Sequence, residues 1–152
     1  MSNFDDFKDM PEDRFSRSTI LLQVIDGDTL DVELDLGWSM RLKERVRLER
    51  VDTPEIKRKE ECDAAIWVKE EVEKLLKPGA PLVITSMAYD RTGQVRGKFG
   101  RTMAVVYRAE DGLCINRYLI EQKIAWITNE RGKLLQDRDL SLLIGIPLAR
   151  RP

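Results

Sequence analysis

The stretch Thr19-Ile20-Leu21-Leu22-Gln23-Val24-Ile25, Asp26-Gly27-Asp28, Thr29-Leu30-Asp31-Val32-Glu33-Leu34-Asp35-Leu36 decides the fold. Its first third is a β-branched, apolar run, and its last third alternates apolar and acidic residues, the period of a strand with one face in a core. The glycine-centred triplet between them predicts a hairpin turn near Gly27. Working outward, residues 40–51 predict a third strand, with Arg41, Lys43, Arg45 and Arg47 on one parity and Leu42, Val46 and Leu48 on the other. One face of that strand is basic and the other enters the core.

Residues 57–77 place Ala65, Val68, Val72, Leu75 and Leu76 at helical spacing and stop at Pro78-Gly79, so an amphipathic helix follows the third strand. Residues 81–88 and 99–108 predict two more strands, joined by a Gly-, Lys- and Arg-rich connection over 89–98. Asp111-Gly112 reads as a turn and Asn116 as the N-cap of a short helix carrying Tyr118, Leu119, Ile120, Ile124 and Trp126. Residues 133–143 predict a last helix. Three strands, a helix, two strands and further helices predict an α+β fold: a five-stranded Greek-key barrel of the OB type, covered by about three helices.

The chain has 152 residues, 42% of them hydrophobic, which suits a single core and one domain over 19–152. Residues 1–18 are polar and acidic, lack apolar periodicity and carry Pro11, and are expected to form a flexible lead. No apolar run is long enough to span a bilayer and no cationic apolar leader opens the sequence, so a cytoplasmic protein without a membrane partner is expected. Cys62 and Cys114 lack the spacing of a metal or redox pair and read as free thiols. The absence of histidine excludes His-dependent triads and ordinary zinc sites, leaving carboxylates, cationic side chains, hydroxyls and hard metals for any chemistry. A net charge of −1 argues against a polybasic nucleic-acid binder and leaves room only for a local basic patch.

Three places can carry chemistry. Asp26 and Asp28, two apart at a strand end, can present paired oxygens to calcium or magnesium, although Asp-Gly is also ordinary turn chemistry. In Val51-Asp52-Thr53-Pro54-Glu55, Pro54 fixes a turn bearing two carboxylates, which suits a metal-binding Asp beside a basic Glu and equally suits a helix start with Thr53 as cap. Arg47 and Arg101 can direct guanidinium groups at one phosphate, or stand as solvated surface charges, as can Arg41, Lys43 and Arg45. Trp38, Trp67 and Trp126 can stack on bases or pack in the core.

Taken in order, Val24-Ile25-Asp26-Gly27-Asp28-Thr29-Leu30, Val46-Arg47-Leu48-Glu49-Arg50-Val51-Asp52-Thr53-Pro54-Glu55 and Gly97-Lys98-Phe99-Gly100-Arg101 resemble the staphylococcal nuclease (thermonuclease) family. The resemblance spans residues 19–127. It implies a nuclease that cleaves DNA and RNA without sugar specificity and leaves 3′-phosphate ends. One calcium ion would be held by the Asp28 and Asp52 side chains and the Thr53 carbonyl, with Asp26 supporting them from behind. Glu55 would position or deprotonate the attacking water, Arg47 and Arg101 would bind the phosphate, and Lys98 and Phe99 would contact the nucleotide, with Lys43 and Arg45 extending the nucleic-acid surface. The connection after Glu55 is shorter than in the secreted members. A monomer is the expected state, and a non-catalytic module of the same fold, binding nucleic acid or protein, is the alternative.

Overall fold

The computed structural model describes residues 15–86, 102–129 and 132–151. Strands β1 (Phe15–Asp26), β2 (Thr29–Gly37), β3 (Met40–Leu48), β5 (Pro81–Ser86) and β6 (Thr102–Arg108) close a barrel in the order β1-β2-β3-β6-β5. A two-residue strand β4 (Val51–Asp52) pairs instead with β7 (Trp126–Ile127), and two α-helices, α1 (Cys62–Leu75) and α2 (Ile115–Glu121), complete the regular structure together with short 3-10 turns at Leu140–Leu142 and Leu148–Arg150. The barrel is mixed, because β3 and β6 run parallel while the other neighbours run antiparallel. This arrangement is consistent with an OB-like barrel carrying helices.

Closure depends on β1, whose twelve residues serve two partners. Its first half pairs with β5 from Phe15↔Ser86 to Ile20↔Pro81, and its second half pairs with β2 from Thr19↔Leu34 to Asp26↔Thr29. A strand can turn this corner when a bulge resets its parity. The register shift between Leu21 and Gln23 does so, and Leu21 and Val24 both point inward although they are three residues apart. Phe15 to Ser18, expected in the flexible lead, therefore belong to the barrel.

The core follows the alternation read from the sequence: Leu30 and Val32 from β2, Val46 and Leu48 from β3, Ala104 and Val106 from β6, and Leu82 and Ile84 from β5 are buried. Helix α1 covers this core with Ala64, Ala65, Val68 and Val72, and α2 adds Ile115 and Leu119. Burial on this scale contributes about 25 cal/mol for each Å² of apolar surface withdrawn from water.

Four expectations are corrected. The third strand divides at Glu49-Arg50, where Arg50 takes a left-handed φ of 64°, and the remainder becomes β4. Helix α1 starts at Cys62, so Thr53 is no helix cap. Asn116 sits inside α2 behind the N-cap Cys114, and its buried amide accepts from the Val106 N–H at 2.9 Å and donates to the carbonyls of Glu49 and Ala104 at 3.0 and 3.2 Å. It ties α2 to the barrel; the helix ends before Lys123, whose φ of 58° turns the chain into β7. Finally, residues 133–143 form no α-helix: Leu134 bridges back to Thr128, and only a 3-10 turn at Leu140–Leu142 forms, capped by the Asp139 carboxylate accepting from the Ser141 N–H. The barrel is thus covered by two α-helices among the described residues, not three.

Candidate active site

Two segments distant in sequence converge at one end of the barrel. The β1–β2 turn presents Asp28, which is 4% exposed, and β4 with the turn after it presents Asp52, Thr53 and Glu55. Gly27 permits the approach, since a Cβ there would lie 2.6 Å from Val68 Cγ1 and 3.0 Å from Thr53 Oγ1. The Asp28 carboxylate then accepts from the Thr29 hydroxyl at 3.0 Å through Oδ1 and from the Thr53 N–H at 3.0 Å through Oδ2. The turn and the β4 end are locked together by the same group.

Arg47 comes from β3, paired opposite Thr29. Its Nη2 lies 3.1 Å from Asp28 Oδ2, 3.3 Å from Asp52 Oδ1 and 3.2 Å from the Val51 carbonyl, so one guanidinium edge bridges both carboxylates. Among the described residues its Nε and Nη1 take no partner, so N–H donors remain for an anion.

Arg138 and Glu61 are the residues that sequence reasoning missed. The Arg138 guanidinium enters from the segment after β7: Nη1 meets Asp52 Oδ2 at 2.6 Å, Nε and Nη2 meet the Glu61 carboxylate at 3.0 and 2.8 Å, and Nη2 reaches the Thr53 carbonyl at 3.4 Å and Glu55 Oε1 at 3.8 Å. Its Cζ stands 4.6 Å from the centre of the Trp126 ring, a cation–π contact within a largely desolvated site. Trp126 is fully buried and donates its indole N–H to the Asp139 carbonyl at 3.2 Å, so it supports Arg138 and is closed to a base. Glu61, just before α1, also accepts from the Glu55 N–H at 2.9 Å. A lone arginine between two aspartates in a stretch of helical pattern carries no signal of this role, and nothing in the sequence sets Glu61 apart from the acidic and basic residues around it.

Burial pushes the Asp52 carboxyl above its ordinary range, with the Asp28 charge adding to the shift and Arg138 and Arg47 opposing it. For Glu61 burial acts in the same sense, but the hydrogen bonds from Arg138 and the Glu55 N–H, with the charges of Arg138 and Arg58, outweigh it and hold the carboxyl below its usual value. Burial works against the Arg138 charge, yet Glu61 and Asp52 together raise its pKa further, so it stays protonated. Glu55 is different: its side chain is 47% exposed at the rim, paired with Arg58 at 3.2 Å and, more loosely, with Arg138 at 3.8 Å, exposed contacts of little energetic weight.

The other expected site residues divide. Asp26 lies half-buried at the end of β1, and its charge is felt by Arg45. Arg45 is bound to Asp31 at 2.8 and 3.0 Å, Lys43 stands opposite Glu33, and Arg41 lies 3.7 Å from Glu33. The basic face of β3 is thus matched by the acidic face of β2, which weakens it as a phosphate track. Trp38 is exposed at the β2–β3 turn and Trp67 packs against the core. Arg101, Lys98 and Phe99 lie outside the described residues.

The oxygens of Asp28 and Asp52 and the Thr53 carbonyl are hard, anionic or strongly polar donors, the set that suits calcium. Nearby, the buried Thr53 hydroxyl oxygen has no hydrogen-bond partner. Arg138 and Arg47 place positive nitrogens against the same carboxylates, so arginine already offsets part of their charge. The donor set fits the ion that the sequence resemblance implies. No protein-family model matches the chain, and no curated protein matches it.

Proposed function

We propose that the chain is a calcium-dependent nuclease of the staphylococcal nuclease type, built on an OB-type Greek-key barrel and hydrolysing phosphodiester bonds of DNA and RNA to leave 3′-phosphate ends. The observation that carries this reading is the convergence of Asp28, Arg47 and Asp52 on one another, with Glu55 solvent-facing beside them. The sequence resemblance supplies the reaction class.

In this reading Asp28, Asp52 and the Thr53 carbonyl would hold one calcium ion, which when bound would supply positive charge against the negative charge that grows on the phosphate. Arg47, with Nη2 on the carboxylates, offers a remaining N–H to a phosphoryl oxygen, and Arg101 provides the second guanidinium. Glu55 accepts the proton of the attacking water, a task its exposed rim position suits. Lys98 and Phe99 contact the nucleotide, and Lys43 and Arg45 lie farther along the bound strand. No helix among the described residues is long and apolar enough to cross a membrane. Cys62 and Cys114 are free thiols, which supports action in a reducing compartment such as the cytoplasm.

A second reading is a non-catalytic nucleic-acid- or protein-binding module on the same barrel, favoured by the occupation of Asp52 and Glu61 by Arg138. Incubation of the protein and its Glu55→Gln variant with labelled single-stranded DNA, duplex DNA and RNA, with calcium, magnesium or a chelator, separates the two. Calcium-dependent cleavage lost in the variant supports the nuclease; binding without cleavage under every condition supports the module.

A further inference from the structure

A divalent ion held by Asp52 and the Thr53 carbonyl would need oxygens that Arg138 already engages at 2.6 and 3.4 Å. Arg138 Nη1 holds Asp52 Oδ2 at 2.6 Å, so an ion that takes this oxygen meets the guanidinium charge at close range in a poorly solvated pocket, where the repulsion is large. We propose that Arg138 is the resident cation of the carboxylate pocket, that a divalent ion enters only by displacing its guanidinium, and that Arg138 thereby sets the ion affinity of the site. The proposal rests on the reading that Asp28, Asp52 and Thr53 hold a hard cation.

Three observations make the displacement physical. First, Arg138 is held by charges and not by packing alone: Asp52 on one side, the bidentate Glu61 on the other, and Glu55 at the rim. Second, the backbone carrying it is anchored independently of the guanidinium. Leu135 donates its N–H to the Ile127 carbonyl at 3.0 Å, and the Asp139 carbonyl accepts from Trp126, so the side chain can withdraw while the chain stays in place. Third, the Arg138 side chain is 17% exposed, so it lies near the surface of the pocket and a rotation carries it outward. Glu61 offers a bidentate carboxylate that is not needed by the proposed ion set. It favours the arginine-filled state.

The exchange has a direction in charge. A guanidinium brings one positive charge and a calcium ion two, so the filled pocket gains charge against Asp28, Asp52, Glu55 and Glu61, while Glu61 loses its buried partner. The cost of stranding Glu61 opposes ion entry. Replacing Arg138 by an uncharged residue imposes that cost beforehand and removes the competitor.

The test is calorimetric titration of calcium chloride into the wild-type chain, Arg138→Gln and the double variant Asp52→Asn/Arg138→Gln, with far-UV circular dichroism as a check on folding. The proposal expects Arg138→Gln to bind calcium at least roughly tenfold more tightly than wild type, and the gain to vanish in the double variant. Should Arg138→Gln fail to fold, the wild type alone still decides: in its proton NMR spectrum the Arg138 Nε–H, bonded to Glu61, and the Trp126 indole N–H should shift together along the calcium-binding isotherm. Equal calcium affinity in wild type and Arg138→Gln, a gain that persists without Asp52, or calcium binding that leaves both NMR signals unmoved would overturn the displacement while leaving the cation reading intact. Folded proteins that bind no calcium at all would overturn both.

Discussion

Glu61→Gln is nearly isosteric and removes one charge from a pair whose side chains are 5% and 17% exposed. In the wild type, Glu61 takes Arg138 Nε and Nη2 at 3.0 and 2.8 Å and the Glu55 N–H at 2.9 Å. Removing one member of a buried pair costs about 3–5 kcal/mol, because the partner's charge stays desolvated. Arg138 retains Asp52 at 2.6 Å, which places the expected loss at the low end, about 3 kcal/mol. For a domain of this size each kcal/mol moves Tm by about 2–4 °C, so thermal unfolding should fall by about 6–12 °C. Arg138→Met should cost at least as much, since it strands both Asp52 and Glu61. The double variant should lose less than the sum of the singles, by about 2 kcal/mol or more, since residues in direct contact couple. Urea denaturation of the four proteins in chelator provides the cycle. Single losses under about 1 kcal/mol that add without coupling would refute the buried Arg138–Glu61 pair.

Four further outcomes follow from the same geometry. Gly27→Ala should destabilise the fold by about 1–3 kcal/mol, measured by chemical denaturation, because its Cβ would sit 2.6 Å from Val68 Cγ1. Asn116→Ala should cost about 2–4 kcal/mol by the same assay, as it leaves the Val106 N–H and two carbonyls unpaired between α2 and the barrel. Arg47→Ala should lower the cleavage rate by about 10²–10³ in single-turnover assays, with substrate binding weakened less. The carboxyl of Glu61 titrates below its ordinary 4.5 in the folded chain, so its contribution to stability is present above that pH and is lost as pH falls through the folded value. Asp52, raised from its ordinary 3.8, acts oppositely and favours the fold below that value, so urea midpoints followed into the acid range should drop less steeply in Glu61→Gln than in wild type.

The barrel was legible because its signals are local. Alternation in β2 and β3, the Asp-Gly turn and the Pro78-Gly79 stop each act over a few residues, and each element formed close to where its pattern lies. The parity of β1 was less legible: the bulge at Leu22 depends on the barrel's need to turn a corner, which no window of sequence contains. The region after α2 misled for a related reason. Residues 133–143 have helical composition, but β7 captures the chain by pairing with β4, and the return path is set by Ile127, Thr128 and Trp126 rather than by propensity. At the site, Asp28, Arg47, Asp52 and Thr53 were found by motif and are brought into mutual contact. Glu61 and Arg138 were not, because a charge compensating a buried carboxylate from 86 residues away has no local pattern.

The central claim is that this carboxylate and arginine cluster cleaves phosphodiesters with a cation's help. The most direct measurement is the rate of cleavage of an end-labelled oligonucleotide by wild type and Asp52→Asn across a calcium titration, beginning in chelator. The account predicts no cleavage in chelator, a rate that rises and saturates with calcium in the wild type, and a loss in Asp52→Asn that calcium does not restore. Cleavage indifferent to both calcium and Asp52, or no cleavage by a folded wild-type chain at any calcium concentration, would contradict it.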